Sequence, residues 1–213
     1  MYSILEKQEF IDRNGDRMKV LLLCLTAFET MEFSVFIDIM GWARDEANKD
    51  VQVEICRFRK TVLSTFGVSI VMDKTIDEIC VDDYDALAIP GGFQEYGFRD
   101  EAFHEKTTKL ICDFNNQEKP IATVCVAAFA IAKSGILKGK KATTYHLLDG
   151  ARQKELASYE GVTVVNEPVV TDGNIITSYC PQTAPEVAFR LLEMLTDKET
   201  ANLIRIIMGY SSC

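Results

Sequence analysis

Several short stretches of the chain carry side chains able to do covalent chemistry. Cys125 brings a thiol within KPIATVCVAAFAIAKSG, residues 119–135. Glu29 and Glu32 bring carboxylates, Gly91-Gly92 a turn with accessible N–H groups, and Tyr145-His146 a hydroxyl and an imidazole. Nucleophile, acid/base partner and anion hole are the parts of a nucleophilic active site. Around Cys125, Pro120 and the run Ile121-Ala122-Thr123-Val124 predict a short buried strand. The period then changes: Val126, Phe129, Ala130 and Lys133 share one helix face, and Gly135 ends that helix. Cys125 thus stands where strand hands over to helix. Free N–H groups and the positive end of the helix dipole there favour a thiolate. An exposed nucleophile on such a turn recurs in α/β enzymes, more often as serine. The competing reading makes Cys125 a small buried hydrophobe, as most free cysteines are.

Each of the other groups also has a purely structural reading. Glu29 and Glu32 could complement a helix dipole, Pro90-Gly91-Gly92 could be a tight turn, and Tyr145 and His146 could be ordinary loop residues. His104 lies among charges in DEAFHEKTTK and reads as a solvated surface histidine. Cys24, Cys56 and Cys112 fall in apolar element interiors and read as core, while Cys80 fits either environment. Cys180, in Ser178-Tyr179-Cys180-Pro181, precedes a helix and is a second thiol directed at the same edge.

The elements that must position these groups alternate along the chain. Met18 to Leu25 is apolar on both faces, as in a central parallel strand. A helix follows from about Glu32 to Asn48, with an apolar stripe of Phe33, Phe36, Ile37, Met40 and Ala43. Val51 to Phe58 reads as a strand, Arg59 to Met72 as a small hairpin around Gly67, and Ile76 to Cys80 as a short helix. Ala86 to Ile89 is the third core strand, Phe93 to Asp100 a loop, and Glu101 to Asn115 an amphipathic helix. After the Cys125 strand and helix come a fifth core strand, Lys141 to Thr144, and a helix around Asp149 to Tyr159. Short strands at Val162 to Val165 and Ile175 to Ser178 precede helices at Pro185 to Leu195 and Lys198 to Met208. This rhythm predicts a three-layer α/β/α sandwich with a mostly parallel sheet. Residues 1–17 are mixed and polar and read as an N-terminal extension to a single domain over 18–210. In such sheets ligands bind beyond the carboxyl ends of the strands, where the candidate residues fall.

Composition narrows the function classes. With 213 residues, 47% hydrophobic and 26% charged, the chain suits one globular domain. A formal charge of -9 argues against nucleic acid or an anionic membrane as partner. Seven scattered cysteines, without a CxxC pair, and only two histidines fit a reduced cytoplasmic setting better than a disulfide framework or a zinc site. No apolar run approaches the roughly 20 residues of a membrane span. No phosphate-binding glycine loop follows the first strand, so neither cofactor nor metal is expected.

MKVLLLCLTAFETMEFSVFIDIM, ALAIPGGF, ATVCVAAFAIAKSGILKGKKATTYH and DGNIITSYCPQTAPEVAFRLLEML together resemble the DJ-1/PfpI (ThiJ-like) family, in the class I glutamine-amidotransferase-like superfamily. The resemblance runs from about Met18 to Tyr210 and implies a flavodoxin-like sandwich, usually dimeric, with its reactive elbow cysteine at Cys125. It also implies that Glu32 is the acid bonded to that cysteine, and that the Gly92 and Val126 N–H groups form the oxyanion hole. A protonated Glu32 would hold the Cys125 thiolate and later exchange a proton with substrate. Departures matter too. Val126 stands where the protease-like branch has histidine, which argues against peptidase activity. Tyr145 follows Thr143-Thr144 where the DJ-1 branch has its histidine, and a one-residue shift turns His146 to the other face. Phe66 replaces a basic residue that borders the DJ-1 pocket, making the mouth more apolar.

These readings converge on a cysteine-dependent enzyme for a small electrophile, with Cys125, Glu32, Tyr145 and His146 as its side chains. The family implies glyoxalase-like, deglycase-like, or nitrile- or isonitrile-hydrating chemistry. The alternative is a redox-sensing or chaperone protein acting through oxidation of Cys125, and a third is a structural module with an incidental cysteine. A homodimer is expected because Phe33, Val35, Phe36 and Ile39 cannot all point inward from one helix.

Overall fold

The computed structural model describes residues 17–58, 61–71 and 73–210. Of the expected N-terminal extension only Arg17 falls among them, paired with Asp50 at 3.2 Å. Residues 59, 60 and 72 of the expected hairpin, and Cys213, lie outside the described residues.

The chain runs β1 (Met18–Leu23), α1 (Thr30–Ala47), β2 (Val51–Arg57), β3 (Thr61–Leu63), β4 (Ser69–Val71), β5 (Lys74–Thr75) and β6 (Ala86–Ile89). It continues through α2 (Phe98–Ala102), α3 (Glu105–Asn116), β7 (Ile121–Thr123), α4 (Ala128–Ser134), β8 (Lys141–Ala142) and α5 (Ala151–Leu156). It closes with β9 (Thr163–Val164), β10 (Val169–Asp172), β11 (Ile175–Ser178), α6 (Ala184–Leu195) and α7 (Lys198–Ile207). The main sheet has the order β10-β11-β7-β6-β1-β2-β5, with β10 antiparallel and its other pairings parallel. Residues Val20 to Leu25, Ala86 to Ile89 and Ile121 to Thr123 are fully buried, which is why these strands read as unbroken apolar or small runs. Helices α1, α6 and α7 pack together, and α2 to α5 form a second group. The predicted mostly parallel sandwich is the observed architecture.

Strand order reverses between β1 and β6, since β1 leads outward to β2 on one side and pairs β6 on the other. Such a switch opens a crevice beyond the strand ends. The loops after β1, β6 and β7 meet there. The β3–β4 hairpin clamps the first of them: Ala27 donates its N–H to Leu63 O (3.0 Å) and Thr65 donates its N–H to Phe28 O (3.0 Å).

Several expectations are corrected. The fifth core strand does not exist. Only Lys141–Ala142 is extended, and β8 pairs β9 in a separate two-stranded sheet. The place beside β11 is filled by β10, an edge strand missed in the sequence reading, so β8 has no vacant ladder to join. The expected loop at Phe93 to Asp100 contains a 3-10 turn (Gln94–Tyr96) and the start of α2. The helix expected from Glu101 breaks at Phe103-His104. There His104 takes extended angles and its Nδ1 accepts the Lys106 N–H at 3.1 Å, starting α3 anew. Its ring is exposed, as expected of a surface histidine. Cys112 is only half-buried, its thiol directed at Ser134 O (3.5 Å). Finally, Phe33, Phe36 and Ile39 are all buried and Val35 is partly buried, because α6 and α7 cover the side of α1 that the sheet leaves open. The dimer expectation loses that support.

Candidate active site

Cys125 follows β7 after one residue and opens a single 3-10 turn, Cys125–Ala127, before α4. Its φ is +55°, a left-handed conformation that costs a residue with a side chain about 1 kcal/mol or more. The fold holds it there. Thr144 Oγ1 donates to Cys125 O at 2.8 Å, and Val124 donates its N–H to Ile89 O at 3.2 Å. Unlike Cys24 and Cys56, which are 0% exposed, Cys125 keeps 9% of its surface open.

Glu32 lies in the first turn of α1 yet does not face solvent. It is fully buried, and its Oε2 accepts the Gly91 N–H at 2.6 Å. Its Oε1 is buried without a hydrogen-bond partner of good geometry, and the Cys125 thiol is the neighbouring group with which the carboxyl interacts. Burial, with a smaller push from buried Glu29, raises Glu32 to about 8 against the pull of the Gly91 N–H. Glu32 is thus turned into the interior and bonded to the Gly91 N–H, away from the solvent-facing position of an ordinary helix-start carboxylate. Glu29 is the N-cap residue of α1 and its side chain makes no cap hydrogen bond.

The thiol differs from the expectation. Burial first, and the Glu32 carboxylate second, push Cys125 up; the Val126 N–H, which points at the sulfur, pulls it down. The helix start is outweighed by removal from water. The two groups therefore hold at most one negative charge between them near neutrality and titrate as a unit.

Gly91 has to be glycine, since an added Cβ would lie 2.7 Å from Glu32 Oε2, 2.8 Å from Val124 O and 2.9 Å from Cys125 Cβ. Gly92 pairs Phe28 in an isolated bridge whose two bonds, Glu29 N–H to Gly91 O (2.8 Å) and Phe93 N–H to Ala27 O (3.2 Å), flank it. Those bonds leave the Gly92 N–H itself unused. Phe66, 72% exposed at the hairpin tip, meets Phe93 edge-on with centroids 5.8 Å apart, and Phe93 lies 6.2 Å from Tyr96. Phe93 follows the Gly-Gly turn directly, so the rim beside that turn is aromatic.

His146 does not join this group. Its ring stacks on Tyr179 at 3.9 Å, and its buried Nδ1 has no hydrogen-bond partner. Tyr145 is half-buried with its ring 6.5 Å from that of His146. The groups acting on the Cys125 sulfur are Glu32, the Val126 N–H and Cys180. Cys180 and Thr144 are thus the contributors that sequence reasoning under-weighted. β10 was legible too: VVTDGNIITS is strand, Asp-Gly turn, strand.

Among the described residues no cluster of three or more His, Cys, Asp or Glu side chains could hold a metal ion. No helix among them is long and apolar enough to cross a membrane.

The described geometry is an α/β sandwich with a cysteine on a left-handed strand-to-helix turn beside a buried glutamate from the first helix. The comparisons identify the family. Residues 18–194 match the model of the DJ-1/PfpI family, and the chain belongs to that family. It is 32% identical over 165 residues to the deglycase PfpI of Pyrococcus furiosus, covering 77% of this chain and 91% of the relative. A deglycase of Pyrococcus horikoshii is 30% identical with the same coverage. Among solved structures, Drosophila melanogaster DJ-1beta superposes with a TM-score of 0.80 at 24% identity, over 92% of this chain and all of that one. Oxidised DJ-1 of Toxoplasma gondii gives 0.73 at 26% identity, again over 92% of this chain and all of that one.

Proposed function

We propose that this protein is a cysteine-dependent enzyme that acts on a small carbonyl electrophile, with deglycase-like or 2-oxoaldehyde-converting chemistry. One observation carries the reading: a fully buried glutamate, raised to about 8, interacts directly with the thiol of Cys125. In the first step the sulfur bonds to the carbonyl carbon while Glu32 takes the thiol proton in the ionised fraction of the protein, which grows as pH rises toward 8. The carbonyl electron pair moves to oxygen, and the unused Gly92 N–H, with the Val126 N–H, receives that oxyanion. Glu32 then returns its proton to the adduct. The Gly91 N–H keeps the carboxyl in place throughout. Relatives named deglycases at about 30% identity support this substrate class.

His146 has no part in this sequence, since its ring is engaged with Tyr179. The aromatic rim favours small, weakly charged substrates over anionic ones. Incubation with methylglyoxal, followed by product analysis, tests the proposal: wild type turns over, and Cys125→Ser loses at least about 10³-fold of that rate. Equal rates for the two proteins would sink it.

A second reading has its own support. The Val126 N–H aimed at the Cys125 sulfur would also bond an oxidised sulfur, and one DJ-1 relative is known in an oxidised form. In that reading Cys125 senses oxidants, and Cys125→Ala abolishes stress protection without any turnover being lost. Self-association belongs to either version on the exposed Met31 and Trp42 of α1, and a concentration-independent monomer in light scattering would remove it.

A further inference from the structure

The turn that crowds Cys125 carries an aromatic ring two residues further on, and the backbone fixes the side from which that ring leaves. Gly91 and Gly92 face opposite ways. A Cβ on Gly91 would point at Glu32 Oε2 and Cys125 Cβ, whereas one on Gly92 would run into Ala27 O and the Phe98 ring. The segment stays extended through the next residue. The two bonds that flank the Phe28–Gly92 bridge are rungs of an antiparallel ladder, and Phe93 has φ -107° and ψ 121°. Side chains along an extended segment alternate between faces. The Phe93 side chain therefore leaves on the face of Gly91, which is the face of Cys125 and Glu32, about 6.6 Å further along.

That ring is held by its edges and stays open to solvent. Phe93 is 41% exposed and meets both Phe66 and Tyr96. A 3-10 turn brings Tyr96 there, its N–H donating to Phe93 O at 3.2 Å. The β3–β4 hairpin brings Phe66, and the neighbouring Thr65 ties the hairpin to the loop after β1 by donating Oγ1 to Ala27 O at 2.6 Å. Two separate segments thus build one continuous aromatic wall. Burial does not explain it, because Phe66 and Tyr96 are both largely exposed. Exposed apolar surface gathered in one place marks a binding site.

We propose that this wall binds an aryl substituent on the substrate, so that the site prefers aryl-substituted 2-oxoaldehydes to methylglyoxal. The proposal rests on the thiol chemistry of the proposed function, and adds to it the group that the reacting carbonyl carries. An aldehyde carbon bonded to Cys125 places an aryl ring one carbonyl further out, on the scale of the gap between Gly91 and Phe93. Rings attract at centroid separations of about 4.5–7 Å, edge-to-face or offset. Phe93 makes the contact, and Phe66 and Tyr96 position its ring.

The test has two arms, both on the full-length protein. Initial rates with phenylglyoxal and methylglyoxal give a ratio of kcat/KM. Labelling of Cys125 by N-phenylmaleimide and N-ethylmaleimide, each divided by its rate with glutathione, gives a second ratio that needs no turnover. Wild type should favour the aryl compound at least about five-fold in both arms. Phe93→Ala should lower both ratios by about three- to ten-fold, the range that one aromatic contact supplies. Phe93→Tyr, which keeps the ring, should restore them. Phe66→Ala, at the exposed hairpin tip where folding is least at risk, should lower them about two-fold. Ratios that neither alanine variant changes would overturn the wall and leave the enzyme standing. Aryl-selective labelling without turnover of either aldehyde would sink the enzyme and keep the wall. Labelling without aryl preference, and no turnover, would overturn both.

Discussion

Two pairs of groups sit at the carboxyl edge of the sheet, and both contain buried thiols. At the ends of β1 and β2, Cys24 and Cys56 are completely enclosed beside Arg57, whose Nε and Nη1 have no hydrogen-bond partner. Burial pushes Cys56 up to about 12 and holds the Arg57 guanidinium below its usual range. Beyond the end of β7, Cys125 is also buried and also pushed up, yet its neighbour, Glu32 in the first turn of α1, is an acid. A cation beside a thiol does not make it reactive when the sulfur is sealed. The second pair differs in three physical respects: a left-handed backbone at Cys125, a slit of exposure, and a carboxyl raised into the working range of pH. In the proposed function, chemistry at this edge rests on the coupling and not on the thiol alone.

The sharpest way to break that contrast is to remove the coupling while leaving the shape. Glu32→Gln still accepts the Gly91 N–H but cannot take a proton. Turnover should fall about 10²-fold or more, measured as kcat on a 2-oxoaldehyde, whereas Cys56→Ala should change it less than about three-fold. The same variant tests the linkage. Glu32 keeps its proton in the folded state up to about 8 and loses it in the unfolded chain near the ordinary value of 4.5. Its contribution to stability is therefore complete below 4.5 and declines as pH rises toward 8, by at most about 1.4 kcal/mol per pH unit. Urea unfolding at pH 5 and pH 8 should show Glu32→Gln gaining on wild type at the higher pH.

Gly91→Ala strikes the contact itself. The new methyl meets Glu32, Val124 and Cys125 at once, and should cost about 1–3 kcal/mol in thermal or urea unfolding, along with most of the activity. Gly67→Ala at the hairpin tip, where nothing lies within 4 Å but φ is +86°, separates backbone strain from this crowding. Thr144→Val has the smallest effect. It removes the hydroxyl that holds Cys125 O at 2.8 Å, worth about 1 kcal/mol, and should loosen the turn enough to lower kcat more than it raises KM.

The division between what could and could not be read in advance has a physical logic. β1, β6 and β7 were legible because strands covered on both faces must be apolar throughout, and the turn at Cys125 because the hydrophobic period changes there. Lys141 to Thr144 misled, since an extended, half-apolar segment carries no mark of which sheet it joins; that depends on whether β10 already occupies the edge. The position of Glu32 came through family resemblance, whereas its protonation depends on burial that only packing reveals. The direction of the Cys125 shift was misjudged for the same reason, because a helix start is visible in sequence and exclusion of water is not. His146 lay one residue from where it was needed, and the structure turns it to Tyr179.

The most direct measurement is the rate of alkylation of Cys125 against pH, site by site, in wild type and in Glu32→Gln. The account predicts a wild-type inflection above the ordinary thiol range, which moves down in the variant because Glu32→Gln removes the charge that pushes the thiol up. Identical profiles in the two proteins, with Cys125 behaving like the sealed Cys56, would contradict it.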